Sequence, residues 1–183
     1  MDFKEVYIAT KNNVKWKAAK NIFSKYGINI LQLKESCPEI QANSSLEIAR
    51  FTACYISKEF KIPIIREDHS LYITALGIPG PYTAFIDKKL DAKKLLSILS
   101  LFKDRSGFFE VSAVYADQNG KQLEHVYTVP IKFSEKIKGN DKYSWNSIIM
   151  LKNGNKTFAE LGENHLSKIF NKNFVWFAKN LVK

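Results

Sequence analysis

The hydrophobic pattern of the sequence changes near Phe108, and this change constrains the fold more than any other feature. Before it, short apolar runs alternate with segments whose apolar residues recur at helical spacing, as in βα units. After it, FFEVSAVYAD and KQLEHVYTVPIKF are β-rich and flank the hairpin signal Gln118-Asn119-Gly120. This order predicts an α/β fold in which a mixed twisted sheet with flanking helices is joined to a β-rich second lobe, with a central cleft.

Local signals predict the individual elements. Strands are expected at Glu5–Ala9, Ile28–Leu33, Pro63–Ile65 and Leu71–Leu76, with a turn at Gly77–Pro81. Helices are expected from Val14 to a cap at Gly27, from Ser44 to about Glu59, from Asp91 through Leu101, and from Glu163 to about Leu181. The first strand, a polar loop and the first helix therefore follow one another directly.

The length of 183 residues suits one well-buried core. We expect a single two-lobed domain over residues 1–183. No apolar run approaches the roughly 20 residues that cross a bilayer, and the first residues mix charges into a strand-like stretch instead of a signal-peptide pattern. The sequence therefore predicts a cytoplasmic protein with no membrane partner.

The formal net charge of +10 favours polyanions, either a nucleic acid or a small triphosphate. The lysines are spread along the chain without a block of like charges or an arginine-rich arm, so a solvated lysine-rich surface is favoured over a dedicated nucleic-acid groove. Two cysteines and three histidines cannot build a disulfide framework, and no zinc site is predicted.

The polar loop Thr10–Lys15 lies between the first strand and the first helix. Free backbone N–H groups and the helix dipole favour an anion at such a position. Thr10 and Asn12 can donate hydrogen bonds, and Lys15 can neutralise phosphate. The loop lacks the GxxxxGK[ST] pattern, however, and polar loops of this kind are most often only connections.

Acidic residues occur at two further places. Glu39 lies in a loop, and Glu67-Asp68 directly follows the apolar strand that is expected to end at Ile65. Carboxylates at strand ends in α/β folds lie where ligands bind, and Mg²⁺ needs oxygen ligands to bridge it to phosphates. A single acidic residue of this kind is more often a surface residue without a partner. Of the two places, the pair Glu67-Asp68 is the stronger indication of a binding site.

The segment Tyr143-Ser144-Trp145-Asn146 combines aromatic and polar side chains. Such residues can stack on a purine face and hydrogen-bond to its edge. Aromatic residues near strands more often belong to a core, so the segment alone does not establish base binding.

Together these segments resemble the motifs of the inosine triphosphate pyrophosphatase family, in order and spacing, over nearly the whole chain. Thr10–Lys15 is similar to its Thr-Gly-Asn-x-x-Lys phosphate loop, Glu39–Gln41 to its Glu-x-Gln metal motif, Glu67–Leu71 to Glu-Asp-Ser-Gly-Leu, Ala75–Tyr82 to its proline-glycine turn, and Lys156–Glu160 to Lys-Thr-Phe-Ala-Glu. Five motifs in register make chance resemblance improbable.

The resemblance implies a Mg²⁺-dependent enzyme that hydrolyses deaminated purine nucleoside triphosphates to the monophosphate and pyrophosphate, and so cleans the nucleotide pool. Thr10, Asn12 and Lys15 would contact the triphosphate, while Glu39 and Asp68 hold Mg²⁺. Asp68 would also orient or deprotonate the attacking water, with Lys15 as the second catalytic residue. The family further implies a homodimer.

Some phosphate-side positions depart from the family. Lys11 replaces a glycine, which removes backbone freedom and adds a cation. Ala18 replaces an acidic residue that would be an outer metal contact. His69 stands where a small hydroxyl residue is expected, so it either contacts phosphate as a substrate-binding residue or crowds it.

The base pocket departs further. Tyr143 and Trp145 keep the two rings, but Asn146 replaces a carboxylate with an amide. In the last helix, His165-Leu166-Ser167 and Phe170-Asn171-Lys172 stand for Glu-Lys-Asn and Ser-His-Arg. Lys172 takes the place of an arginine, which is not a conservative change, and is expected to bind substrate. No base contact is assigned to Leu166 or Phe170.

Three functions are compatible with these features. The first is an active nucleoside triphosphate pyrophosphatase, which is favoured because carboxylates clustered around phosphate donors are costly to keep without a metal. The second is a nucleotide-binding homologue with weak turnover and changed base specificity. The third, a nucleic-acid-binding protein, depends on charge alone and would show steep salt dependence of binding.

Overall fold

The structure is a computed structural model that describes residues 5–141 and 143–181. It divides into two compact units. Unit 1 comprises the chain up to Asp68, Val111–Tyr127 and the chain from Ser167, whereas unit 2 comprises His69–Glu110 and Thr128–Leu166. The predicted single domain over 1–183 extends past the described residues at both ends and stays a prediction.

Seven strands and seven α-helices lie in the described part of the chain. Strands β1 to β7 are Glu5–Ala9, Asn29–Leu33, Ile64–Ile73, Ile78–Gly80, Ser106–Ala116, Gln122–Phe133 and Ile149–Leu151. Helices α1 to α7 are Asn13–Phe23, Ser45–Phe60, Thr83–Lys89, Ala92–Leu99, Phe158–Leu161, Glu163–Ile169 and Lys172–Leu181. The strand order is β2-β1-β3-β5-β6-β7, with β4 paired to β3, and parallel and antiparallel pairs both occur. The predicted mixed α/β fold is confirmed.

Unit 1 contains the parallel strands. All five residues of β1 pair in parallel with β2, and Tyr7 and Ile8 also pair in parallel with β3. Helix α1 contacts α7, and Phe23, Phe174 and Phe177 are buried in one cluster on this side of β1. Fully burying such a side chain stabilises the fold by about 1.5–3 kcal/mol. This cluster packs helix α1 against β1 and α7.

Helix α2 begins as its sequence predicts. Ser44 is the N-cap, and its Oγ accepts a hydrogen bond from the backbone N–H of Glu47 at 3.2 Å. Arg50 links the helix to β6 through two hydrogen bonds to Glu124, of 2.5 and 3.0 Å. Several large apolar side chains on or beside α2 remain exposed, namely Ile40, Phe51, Tyr55 and Phe60, which together are called the α2 patch.

Unit 2 contains the pairing between β3 and β4 and the whole of helices α3, α4 and α5. Leu71 lies opposite Gly80, and Ile73 opposite Ile78, in antiparallel pairing. Asp91 caps α4 as predicted, because its carboxylate accepts a hydrogen bond from the backbone N–H of Lys94 at 2.8 Å. The buried side chains of α4, Leu95 and Leu99, contribute to the interior of this unit.

Strand β3 is continuous, whereas the sequence predicts separate strands at Pro63–Ile65 and Leu71–Leu76. The charged residues between these runs suggested a break, yet they lie within the strand. Glu67 is buried and accepts a hydrogen bond from the buried Asn173, so its charge does not end the strand. The expectation that Glu67-Asp68 follows the end of a strand is therefore corrected.

Two other boundaries differ from the prediction. The expected turn at Gly77–Pro81 is mostly strand β4, and the chain reverses just before it, where the N–H of Gly77 donates to the carbonyl of Ile73 at 2.8 Å. The expected helix from Glu163 to Leu181 is two helices, because α7 starts anew after Asn171, whose carbonyl accepts from Val175 at 3.3 Å. Asparagine is favoured at helix N-caps, which explains the break.

Helices α3 and α5 and strand β7 have no counterpart in the sequence-based prediction. They are only seven, four and three residues long, too short for a periodic pattern to indicate them. Within residues 5–141 and 143–181, no helix combines the length and apolar character needed to cross a bilayer.

Candidate active site

The loop between β1 and α1 is built as a helix N-terminus. Asn12 is the N-cap, and its Oδ1 accepts hydrogen bonds from the backbone N–H groups of Val14 and Lys15 at 2.8 and 3.2 Å. Thr10 is buried, and its Oγ1 accepts from the N–H of Asn12 at 3.1 Å. These bonds hold the loop in one conformation and aim the positive end of the helix dipole outward.

A pocket of about 500 Å³ opens over this loop. Five of the predicted site residues line it together: Thr10, Asn12, Lys15, Glu39 and Asp68. The remaining lining residues are Ala9, Lys11, Leu33, Glu35, Ser36, Cys37, Arg66 and Glu67. All of these residues belong to unit 1. The predicted phosphate loop and the predicted metal-binding carboxylates thus share one pocket.

Glu67 is the buried carboxylate of this pocket, with 5% of its surface exposed. Its Oε1 lies 3.4 Å from Lys15 Nζ, and its Oε2 accepts a hydrogen bond from Asn173 Nδ2 at 3.0 Å. The sequence-based interpretation noticed the pair Glu67-Asp68 but assigned a role to Asp68 alone. Hydropathy could not find the partner Asn173, because it lies 106 positions away along the chain.

Arg66 is a further residue that sequence reasoning missed. Its Nη2 donates to Glu39 Oε1, and its Nη1 donates to the carbonyl of Ala9 at 3.3 Å. In the sequence, the position of this arginine inside the apolar-rich strand β3 was the signal that could have identified it. The structure thus gives Glu39, a predicted metal ligand, an arginine as its partner.

The donor set of this pocket can be compared with what Mg²⁺ requires. Among the described residues, no group of three or more His, Cys, Asp or Glu side chains is arranged to hold a metal ion. Mg²⁺ is usually bound by one or two carboxylates, with phosphate oxygens and water completing the octahedron. Glu39 and Asp68 both line the pocket. Two carboxylates suit a site in which phosphate oxygens and water supply the remaining ligands.

Cys37 also lines the pocket, which raises the question of a nucleophilic thiolate. Burial raises the pKa of the Cys37 thiol above its ordinary value, although Arg66 opposes this shift. The thiol therefore stays protonated near neutral pH, and a thiolate is the form that attacks. Cys37 does not fit a catalytic role.

The predicted base-binding segment belongs to unit 2. Trp145 is buried, its Nε1 donates to the carbonyl of Leu90 at 2.6 Å, and its backbone N–H donates to Asp87 at 3.1 Å. With 2% of its surface exposed, Trp145 packs inside unit 2, and its stacking on a purine stays a prediction. Tyr143, with 80% of its surface exposed, and Asn146, also exposed, remain accessible.

The last two predicted site residues lie outside the lining of the pocket. His69 is half-buried in β3 at the start of unit 2. Lys172 begins α7, is exposed, and has its Nζ 5.2 Å from the centroid of the Tyr127 ring. This distance suits a cation–π contact, which holds the ammonium at the start of α7.

Comparison with known proteins identifies the family. The model of the Ham1 family matches residues 6–172. A dITP/XTP pyrophosphatase of Ignicoccus hospitalis is 33% identical over 182 residues, which cover 97% of each chain. The chain belongs to the Ham1 family. The resemblance expected from the sequence motifs is thereby confirmed.

Other Ham1 relatives agree in length and fold. The dITP/XTP pyrophosphatase of Methanopyrus kandleri is 29% identical, over 97% of this chain and 98% of its own. The solved structure of a HAM1 protein from Coxiella burnetii superposes with a TM-score of 0.80 at 20% identity, covering 98% of this chain and 96% of that one. The Staphylococcus aureus Ham1 protein gives 0.77 at 22% identity, with the same shares. These two structures support the fold of this Ham1 chain.

Proposed function

We propose that this Ham1 protein is a nucleoside triphosphate pyrophosphatase that releases pyrophosphate from deaminated purine nucleotides of the cytoplasmic pool. The supporting observation is the unit 1 pocket, in which a helix N-terminus, Lys15, and the carboxylates Glu39 and Asp68 lie together. Relatives of similar length are named dITP/XTP pyrophosphatases. The hydrogen-bond donors can bind the oxygens of a triphosphate, and the carboxylates can orient the water that attacks it.

The proposed mechanism assigns a task to each side of the pocket. The positive end of the α1 dipole, the side-chain NH₂ group of Asn12 and the ammonium of Lys15 bind phosphate oxygens and hold the chain of phosphates in line. Asp68 orients a water molecule and accepts its proton as the water attacks the α-phosphorus. The bond from that phosphorus to the bridging oxygen of the β-phosphate breaks, which releases pyrophosphate.

Glu39 and Asp68 are the residues that would hold a magnesium ion. Such an ion would supply positive charge that stabilises the leaving pyrophosphate. Because Arg66 contacts Glu39, its guanidinium would have to leave this carboxylate before the carboxylate could serve as a metal ligand. The same guanidinium, once released, has a planar fork suited to phosphate.

A catalytically weakened nucleotide-binding protein is the second candidate function. The contact between Arg66 and Glu39 favours it, because this pair competes with a metal ion for Glu39. The altered positions Asn146, Leu166 and Phe170 concern base selection and not phosphate chemistry. They favour a changed base preference under either candidate.

Pyrophosphate release from a panel of triphosphates tests the proposal. With Mg²⁺ present, we expect release of pyrophosphate from dITP, ITP or XTP, and the rates with the ordinary purine and pyrimidine triphosphates measure how far the altered positions have changed the base preference. Removing divalent ions with a chelator should stop the reaction. Binding of triphosphates without any release of pyrophosphate would favour the second candidate.

We further propose that the protein is a homodimer that uses the α2 patch. Ile40, Phe51 and Tyr55 line a shallow groove of about 510 Å³ that also carries Glu47 and Lys58. A two-fold interface must be complementary to itself, and an apolar centre with charges of both signs at its rim meets this condition.

Light scattering coupled to size exclusion tests the dimer. The wild-type protein should elute with twice the mass of the 21.0 kDa chain, and Phe51→Glu should shift it towards the monomer. Phe60→Glu, at the end of α2 in the same patch, should also shift the protein towards the monomer. A monomeric wild type at micromolar concentrations would contradict the proposal.

A further inference from the structure

Asn173 lies at the centre of a buried polar chain that ends at Lys15. It is 0% exposed, although asparagine is rarely fully buried. Its Nδ2 donates to Glu67 Oε2 at 3.0 Å and to the carbonyl of Val111 at 3.4 Å, and its Oδ1 lies 2.7 Å from His125 Nδ1. Each polar atom of this amide therefore has a partner from a different element of unit 1.

The orientation of the amide follows from its neighbours. An ionised carboxylate and a backbone carbonyl can only accept hydrogen bonds, so the NH₂ group must face Glu67 and Val111. The amide oxygen then faces His125, whose Nδ1 must carry the proton and donate. Stacking of the imidazole on Trp176, with ring centroids 4.9 Å apart, holds that ring in place. The amide of Asn173 is thus fixed from both sides.

Glu67 connects this amide to the pocket. One carboxylate oxygen accepts from Asn173, and the other lies beside Lys15 Nζ. A carboxylate held at only one oxygen can rotate about its terminal torsion, whereas two opposed partners fix the plane of the group. The position of the lysine ammonium therefore depends on a residue of α7 that does not line the pocket.

We propose that Asn173 is a positioning residue, which holds Glu67 so that the Lys15 ammonium is fixed where the phosphates bind. The proposal rests on the proposed function for the phosphate role of Lys15. It assigns to α7 a task in phosphate binding that is separate from any contact made by Lys172. His125 takes part by orienting the amide.

A double-mutant cycle with inorganic tripolyphosphate tests this assignment without requiring turnover. We expect Asn173→Ala to weaken tripolyphosphate binding by about 10-fold, the effect typical of losing a hydrogen bond to a charged group. In a Lys15→Ala background, the same change should have little further effect, because the two residues act through one contact. Calorimetry on folded protein, checked by thermal melting, gives the four affinities.

Asn180→Ala is the matched control, because Asn180 lies on the same helix and its amide donates to the carbonyl of Trp176 at 2.8 Å. Its binding of tripolyphosphate should equal that of wild type. If Asn173→Ala does not fold, His125→Phe replaces it, since this change removes the donor that orients Asn173 and should weaken binding in the same direction. Equal losses from Asn173→Ala with and without Lys15 would overturn the proposal.

A spectroscopic readout separates this proposal from the proposed function. A lysine ammonium held by a fixed carboxylate exchanges its protons slowly enough to give a ¹H–¹⁵N signal, and the Lys15 signal should be present in wild type and lost in Asn173→Ala. A retained signal would refute the positioning role. Absence of pyrophosphate release from wild type would instead refute the enzymatic function. The Lys15 signal and the double-mutant cycle do not need turnover, so they would still test the role of Asn173.

Discussion

Replacing Asp68 with asparagine is expected to lower pyrophosphate release by about 10³-fold, the range observed when a general base is removed. The amide cannot accept the proton of the attacking water, and it is a weaker ligand for Mg²⁺ than a carboxylate. Binding of the triphosphate should stay within about 3-fold of wild type, because the phosphate donors of the Thr10–Lys15 loop are unchanged. The loss should therefore appear in kcat and not in KM.

Glu35→Gln is the matched control for Asp68→Asn. Glu35 lines the same pocket, so the change removes one negative charge from the same wall without touching the proposed base. Steady-state release of pyrophosphate and calorimetric binding are measured for both variants. A Glu35 variant that loses as much activity as the Asp68 variant would mean that pocket charge, and not proton transfer, limits the reaction.

Replacing Glu67 with leucine is expected to destabilise the fold by about 3 kcal/mol, because removing one partner of a buried ion pair leaves the other charge uncompensated. The Lys15 side chain is 23% exposed and can recover some hydration, which places the cost at the lower end of the usual range. Asn173 also loses one of its two acceptors while it remains fully buried. Phosphate binding should weaken together with stability.

Urea denaturation measures this change, with two comparison variants. Glu67→Gln should cost less than Glu67→Leu, since its amide oxygen still accepts from Asn173. The double variant Lys15→Met with Glu67→Leu should recover part of the stability, because replacing a whole buried pair by apolar groups is often neutral. A Glu67→Leu protein as stable as wild type would show that the pair is already hydrated in the folded state.

The phosphate loop could be located from the sequence because all its information is local. Thr10, Asn12 and Lys15 are nearly consecutive, and the apolar run before them and the helical spacing after them fix their surroundings. Asn12 as the cap of α1 follows from the chemistry of its side chain. The same holds for the helix starts at Ser44 and Asp91, which lie where their capping residues predict.

Features that depend on partners far along the chain could not be predicted in this way. Charged residues in β3 looked like the end of a strand, since hydropathy does not show that Glu67 meets Asn173 and Lys15. The aromatic segment gave no sign that Trp145 would be buried against Leu90. In both cases tertiary contacts satisfy a polar group that local patterns assign to the surface.

The charges that line the pocket differ in sign from those of the whole chain. Three basic side chains, Lys11, Lys15 and Arg66, face four acidic ones, Glu35, Glu39, Glu67 and Asp68, whereas the chain carries +10. The positive net charge of the chain thus attracts a free triphosphate from a distance, whereas the excess of acidic side chains in the pocket repels it. The nucleotide is expected to enter already complexed with its counter-ion, so that turnover follows the concentration of this neutralised complex and not that of the free nucleotide.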